Sequence, residues 1–174
     1  MIRALHPYKP KLVVIGNGMA GARLVDDILA CDPDIFDVTM FGDEPYGNYN
    51  RILLSNVLNG TQEAKEIFLN PLSWYQENNI RFHAGKRVSS VDRAAKTVHA
   101  GDLVEAYDHL VIATGSRPFV PPLLGGGQAG RVRVSHVGRL PQHRRLCQGQ
   151  KESRRHRRRS ARLGGGQGLA DAQP

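Results

Sequence analysis

The sequence predicts an α/β domain built on a parallel sheet, and three stretches carry that expectation. Residues 11–45, KLVVIGNGMAGARLVDDILACDPDIFDVTMFGDEP, parse as strand, glycine turn, helix and second strand. LSWYQENNI, from Leu72, reads as a helix leading into the extended RFHAG, and HLVIA, from His109, reads as a late buried strand. At 174 residues the chain has the size of one ordinary domain.

The first strand is the apolar run before Gly16. A helix follows the turn and runs to about Leu29, with Ala22, Val25, Ile28 and Leu29 on one face, until Asp32 and Pro33 end it. VTMFG, Val38 to Gly42, is the next strand, and the intervening helix makes it parallel to the first. YGNYNRILLSNVLNGT, from Tyr46, begins as a loop and gathers a short helical pattern around Ile52 to Leu58, which Gly60 stops. VSSVDRAAKTVHAG, from Val88, reads as a hairpin with Val88, Val91 and Val98 as inward candidates. The late strand HLVIA ends at Thr114 and Gly115, and Pro118, Pro121 and Pro122 close the ordered reading.

The net charge of +8 suggests a polyanionic partner, but it is unevenly spread. Half of the 24 Lys and Arg residues lie after Leu124, where only Glu152 and Asp171 oppose them. The basicity therefore belongs to the tail. That tail is rich in Arg, Gly and Gln and nearly lacks Phe, Tyr, Ile and Trp, so it is expected to be disordered, with residues 1–10 as an extension and 11–124 as the folded domain. Cys31 and Cys147 fall in regions of different character, which argues against a disulfide framework, a CxxC redox pair or a zinc site. No metal site is expected, because His83, His99 and His109 lack ligand spacing. No apolar run approaches the roughly 20 residues that span a bilayer. The start, MIRALHPYKPK, lacks the apolar core of a signal peptide, so the cytoplasm is the expected compartment.

Gly16, Gly18 and Gly21 form GxGxxG between a strand and a helix. In a dinucleotide-binding turn the first glycine permits the tight turn. The second lets backbone approach a pyrophosphate, and the third lets the helix pack close to the strand. The helix N-terminus then meets the phosphate charge. Asp43 or Glu44, at the end of the second strand, stands where an acidic side chain would bond a ribose. The motif does not separate FAD from NAD, although ATG after the late strand stands where a flavoprotein chain returns to its cofactor.

IGNGMAG, GDEPYGNYNRILLS, LNPLSWYQENNI and YDHLVIATGSRP, in this order, resemble the N-terminal FAD-binding part of the two-dinucleotide-binding flavoprotein reductases. Within that superfamily the chain most resembles the large subunit of NAD(P)H-dependent assimilatory nitrite reductase, over Lys11 to about Leu124. The resemblance implies a three-layer Rossmann-like domain, incomplete at its C-terminal side. It puts Gly16, Gly18, Met19, Ala20 and Gly21 at the FAD pyrophosphate and Asp43 on the adenosine ribose. Arg51 and Ser55 fall at a basic and a hydroxyl contact near the pyrophosphate and flavin. Val88 would present backbone atoms to the adenine, and Ala113, Thr114 and Gly115 would close over the cofactor. The plain alternatives are a solvated loop charge for Arg51, a core strand residue for Val88 and a helix-start hydroxyl for Ser55.

The implied function is electron delivery from NAD(P)H through FAD to a siroheme and iron–sulfur centre that reduces nitrite to ammonia. The nicotinamide and nitrite sites belong to other domains or subunits, so no catalytic residue is expected within this chain. Disulfide reductases of the superfamily carry a redox cysteine in the region matching Arg51 to Asn59, and none stands there, which disfavours dithiol chemistry. Asn56 replaces the lysine of many ferredoxin-reductase-like relatives.

The superfamily continues into a second, NAD(P)H-binding Rossmann domain. With the first base of each codon dropped, Arg155 to Leu163, RHRRRSARL, can become VIGGGLLGL, a strand running into GxGxxG. The tail thus reads as out of frame, so no specific nucleic-acid contacts are expected of its arginines, although their charge would still favour nonspecific binding. The alternatives are a single-function reductase for a ferredoxin, rubredoxin or oxygen, a basic nucleic-acid-binding protein using the tail, and a nonfunctional truncated fragment.

Overall fold

The computed structural model describes residues 8–116 and 137–139. The chain divides into two compact units, Met1–Phe119 and Val120–Pro174, and the described part of the second is a 3-10 turn at Val137–Arg139. The expectations for residues 1–7 and for the rest of the tail lie outside the described residues.

The first unit is built on a four-stranded parallel sheet of β1 (Lys11–Ile15), β2 (Asp37–Gly42), β5 (Arg81–Ala84) and β9 (His109–Ile112), in the order β5-β2-β1-β9. β1 is the centre, pairing Val13 with Thr39 on one side and with Leu110 on the other. Both of its faces are covered, so its residues 12–15 form one continuous buried run rather than an alternation. Leu12 and Val14 face Val25, Met40, Tyr75 and Ile80; Val13 and Ile15 face Phe41, Val98 and Ala100. Each such side chain contributes about 1.5–3 kcal/mol when fully buried.

The first of those faces is closed by two helices, α1 (Met19–Cys31) and α3 (Leu72–Glu77). α1 presents Ala22 and Val25 to the sheet, flanked by Ile28 and Leu29, and its C-terminus is capped at Asp32, as the sequence pattern predicts. The other face is closed by an antiparallel meander of β6 (Ser90–Asp92), β7 (Thr97–Ala100) and β8 (Leu103–Ala106). The layers are therefore helix, parallel sheet and antiparallel sheet, in agreement with the three-layer expectation. The predicted hairpin is correct for β6 and β7, but a third strand extends it through the turn at Gly101, whose φ is +62°.

Two further differences stand out. β3 (Asn48–Tyr49) pairs with β4 (Phe68–Asn70), although neither segment alternates long enough to signal a strand. The α2 helix (Leu54–Asn59) sits between them, entered by a 3-10 turn at Arg51–Leu53 and stopped by Gly60 at φ +86°. The reading of HLVIA as a buried strand is corrected. β9 lies at the edge of the sheet, and Ile112 is 65% exposed. An edge strand has one neighbour, so its apolar side chains are covered from one side only.

The N-terminal approach to β1 is pinned by Asp108. Its carboxylate accepts the Tyr8 hydroxyl at 2.7 Å and the Lys11 N–H at 2.7 Å, and these bonds hold its pKa below the ordinary 3.8. A depressed carboxylate pKa contributes stability that is present above the ordinary value and lost as pH falls through the depressed one. Asp108→Asn is therefore expected to be less stable than wild type near neutral pH. The difference should close in acid, below the ordinary 3.8, when thermal unfolding is followed across pH.

Candidate functional site

The glycine turn joins the C-terminal end of β1 to the N-terminus of α1, and its three glycines meet different surroundings. Gly16 has φ +114°, and a Cβ there would run into the carbonyl of Ala113, just past β9. A Cβ on Gly21 would strike the Gly16 carbonyl and come within 3.4 Å of the Ala113 Cβ. These two positions are closed by the protein's own backbone. Gly18 differs: its φ is −82°, which any residue adopts, and a Cβ there would meet nothing within 4 Å.

Gly18 is also the N-cap of α1, and among the described residues no side chain caps that end. The first-turn N–H groups of an α-helix have no partner within the helix. Here they belong to Met19, Ala20 and Gly21, of which Met19 and Ala20 are exposed. The macrodipole adds a partial positive charge at the same point. The arrangement can bind an anion through backbone alone, with room for that anion beside Gly18.

The other expected residues surround this turn to differing degrees. Ala113 is joined to β1 by its N–H to the Ile15 carbonyl at 2.8 Å, and Thr114 and exposed Gly115, at φ +68°, follow directly. Asp43 stands just past β2, the strand beside β1, with its side chain 62% exposed and Arg87 at 3.8 Å. Glu44, the other acidic candidate, is engaged: it accepts the Tyr49 hydroxyl at 2.8 Å and Arg51 at 2.7 Å. Arg51 lies in the 3-10 turn, over the ring of Tyr49 at 5.7 Å. The Ser55 hydroxyl, in the first turn of α2, donates back to the Ile52 carbonyl at 3.3 Å. Val88 lies in the connection from β5 to β6 and packs against the Val98 core. That connection is held to the end of β2, because Gly85 and Lys86 donate to the carbonyls of Glu44 and Gly42. The turn, the end of β2 and the segment after β9 thus meet at one end of the sheet, while Arg51 and Ser55 lie in the 3-10 turn and α2 helix between β3 and β4, with Arg51 joined to Glu44 past β2.

Sequence reading missed the polar residues beneath the turn. Tyr75, 1% exposed, donates to Asn17 Oδ1 at 2.8 Å and accepts the Asn48 N–H at 3.2 Å. Asn48, also 1% exposed, donates from Nδ2 to the Gly18 carbonyl at 3.2 Å. Burial pushes the Tyr75 phenol above its ordinary pKa, so it remains a donor. The local sequence gives no signal for this set, because its members come from three separate segments. Of the histidines among the described residues, His83 stacks on Phe41 and faces Glu105 at 3.5 Å, His99 pairs with Thr97, and His109 meets Phe36 edge-on. Among the described residues no three His, Cys, Asp or Glu side chains gather to hold a metal ion, and no helix is long and apolar enough to cross a membrane.

A family model described as pyridine nucleotide-disulphide oxidoreductase matches residues 10–167. The chain is 48% identical over 123 residues to a nitrite reductase [NAD(P)H] of Bacillus subtilis (strain 168), covering 70% of this chain and 15% of that protein. It is 38% identical over 120 residues to the nitrite reductase (NADH) large subunit of Escherichia coli (strain K12), covering 67% of this chain and 14% of that one. The chain therefore spans about one seventh of the length of these relatives. Among solved structures it is similar to an NAD-dependent persulfide reductase from A. fulgidus, with a TM-score of 0.68 and 26% identity, covering 75% of this chain and 26% of that chain.

Proposed function

The chain belongs to the pyridine nucleotide-disulphide oxidoreductase family, and from that premise we propose that its first unit holds the adenosine diphosphate half of FAD at the glycine turn. One observation carries the reading. Among the described residues, Gly18 is the only glycine of the motif that the protein's own packing leaves open, and it caps an α-helix whose N-terminus has no side-chain cap. A purely structural turn would need Gly16 and Gly21 but would have no use for a glycine at position 18. The residues present therefore fit a pyrophosphate.

In this reading the N–H groups of Met19, Ala20 and Gly21 receive the phosphate oxygens, and Asp43 accepts from the ribose hydroxyls. Arg51 supplies positive charge on the flavin side while Glu44 and Tyr49 orient its guanidinium. The backbone around Val88 borders the adenine, Ala113, Thr114 and Gly115 close the far side of the turn, and the Ser55 hydroxyl lies near the flavin. Bound FAD supplies hydride acceptance from NAD(P)H and onward electron transfer, which is cofactor chemistry rather than side-chain chemistry. In the whole protein the electrons pass to a siroheme and iron–sulfur centre that reduces nitrite to ammonia. The names of the Bacillus and Escherichia relatives, both nitrite reductases, support nitrite as the substrate.

Asp43→Ala tests the ribose contact. Among the described residues the exposed carboxylate has a 3.8 Å ion pair with Arg87, so its loss should spare the fold. FAD affinity is expected to fall by about 1.5–3 kcal/mol, the usual worth of a hydrogen bond to a charged group, when measured by flavin fluorescence titration. Unchanged affinity would remove Asp43 from the site. The basic tail is proposed to be read out of frame, and the nucleotide sequence around the codons for Leu123 to Gly127 decides that point.

A further inference from the structure

Resting on the FAD reading above, we propose that Asn48 and Tyr75 are positioning residues of the cofactor site: they lock the glycine turn onto the loop that carries Arg51 and aim the first amide of α1 at the phosphates. The Gly18 carbonyl receives two donors, the Ala22 N–H at 3.0 Å and Asn48 Nδ2 at 3.2 Å. The Gly18 carbonyl and the Met19 N–H belong to one planar trans peptide and point in opposite directions. Holding that carbonyl from below therefore fixes the direction in which the Met19 N–H points above. Tyr75 links the two segments by a different contact: its hydroxyl donates to Asn17 Oδ1 on the turn and accepts the backbone N–H of Asn48, the residue that holds the Gly18 carbonyl.

The cost of this arrangement is an argument for a role beyond packing. A buried phenol and a buried amide must be desolvated, and the bonds they make only offset that cost. Asn48 Oδ1 is buried with no hydrogen-bond partner among the described residues, so the amide is retained at a net expense that a leucine would avoid. Every bond these two side chains make ends on the turn or on the loop entering β3. The polar set thus ties together two segments that must be in register only if one ligand bridges them.

The test is an FAD titration of the 174-residue chain, reading fluorescence quenching and the anisotropy of bound flavin. Tyr75→Phe removes a single oxygen, and Asn48→Ala removes the clamp on Gly18. Val38→Ala opens a cavity where β2 pairs with the start of β1, at the end of the sheet away from the turn, and serves as a destabilised variant outside the site. Tyr75→Phe and Asn48→Ala are each expected to weaken FAD binding about tenfold, with higher mobility of the bound flavin, while Val38→Ala stays within about twofold of wild type at equal folded fraction. Wild-type affinity in both site variants would overturn the proposal, as would an equal loss in Val38→Ala. A wild-type chain with no saturable binding would instead remove the FAD reading itself, and the positioning role would fall with it.

Discussion

Gly16→Ala is expected to destabilise the first unit by about 3 kcal/mol or more, a large part of the stability of a domain this size. Two independent effects add. At φ +114° an L side chain is strained whatever the space, and the added methyl would be driven into the Ala113 carbonyl. That carbonyl cannot step aside, because Ala113 is bonded to Ile15 at the junction of β1 and β9. The variant should show a lower urea midpoint with an unchanged slope, and it should lose FAD binding only in proportion to its unfolded fraction.

Gly18→Val should behave in the opposite way. No described residue stands within 4 Å of the new Cβ and the backbone is already in an extended conformation, so stability should change by no more than about 1 kcal/mol, the worth of a changed N-cap. FAD binding should be abolished, with at least about a hundredfold loss, because a branched side chain holds the pyrophosphate away from two or three backbone donors worth about 1.5–3 kcal/mol each. A titration on folded Gly18→Val protein checks this directly. The two substitutions together separate the glycine that the fold needs from the glycine that the ligand needs.

The sequence was most informative where one local rule governs. The strand, turn and helix around Gly16 to Gly21 are legible because glycine spacing and helical periodicity lie within one short segment, and the family that those residues suggested is the one to which the chain belongs. Asn48–Tyr49 and Phe68–Asn70 were not legible as strands, since a two-residue strand has no period and forms only when tertiary contacts bring its partner. The meander's third strand was hidden for a related reason. Its burial alternates weakly, with Val104 57% exposed, because β8 lies at the edge of the small sheet. The apolar run of HLVIA promised a buried strand, but apolar composition cannot distinguish a central strand from an edge strand. At the site, Asp43 and Glu44 were indistinguishable by spacing. Geometry separates them by giving Glu44 to Tyr49 and Arg51 while Asp43 remains exposed beyond β2.

The central claim is that the first unit grips the adenosine diphosphate half of FAD through the N-terminus of α1. Competition titration of the 174-residue chain tests it most directly, with FAD as the reporting ligand and ADP or riboflavin as competitor. The account predicts saturable FAD binding that ADP displaces and riboflavin does not, since the turn, the uncapped N–H groups at the start of α1 and Asp43 all address phosphate and ribose. Displacement by riboflavin but not by ADP, or no saturable FAD binding at all, would contradict it.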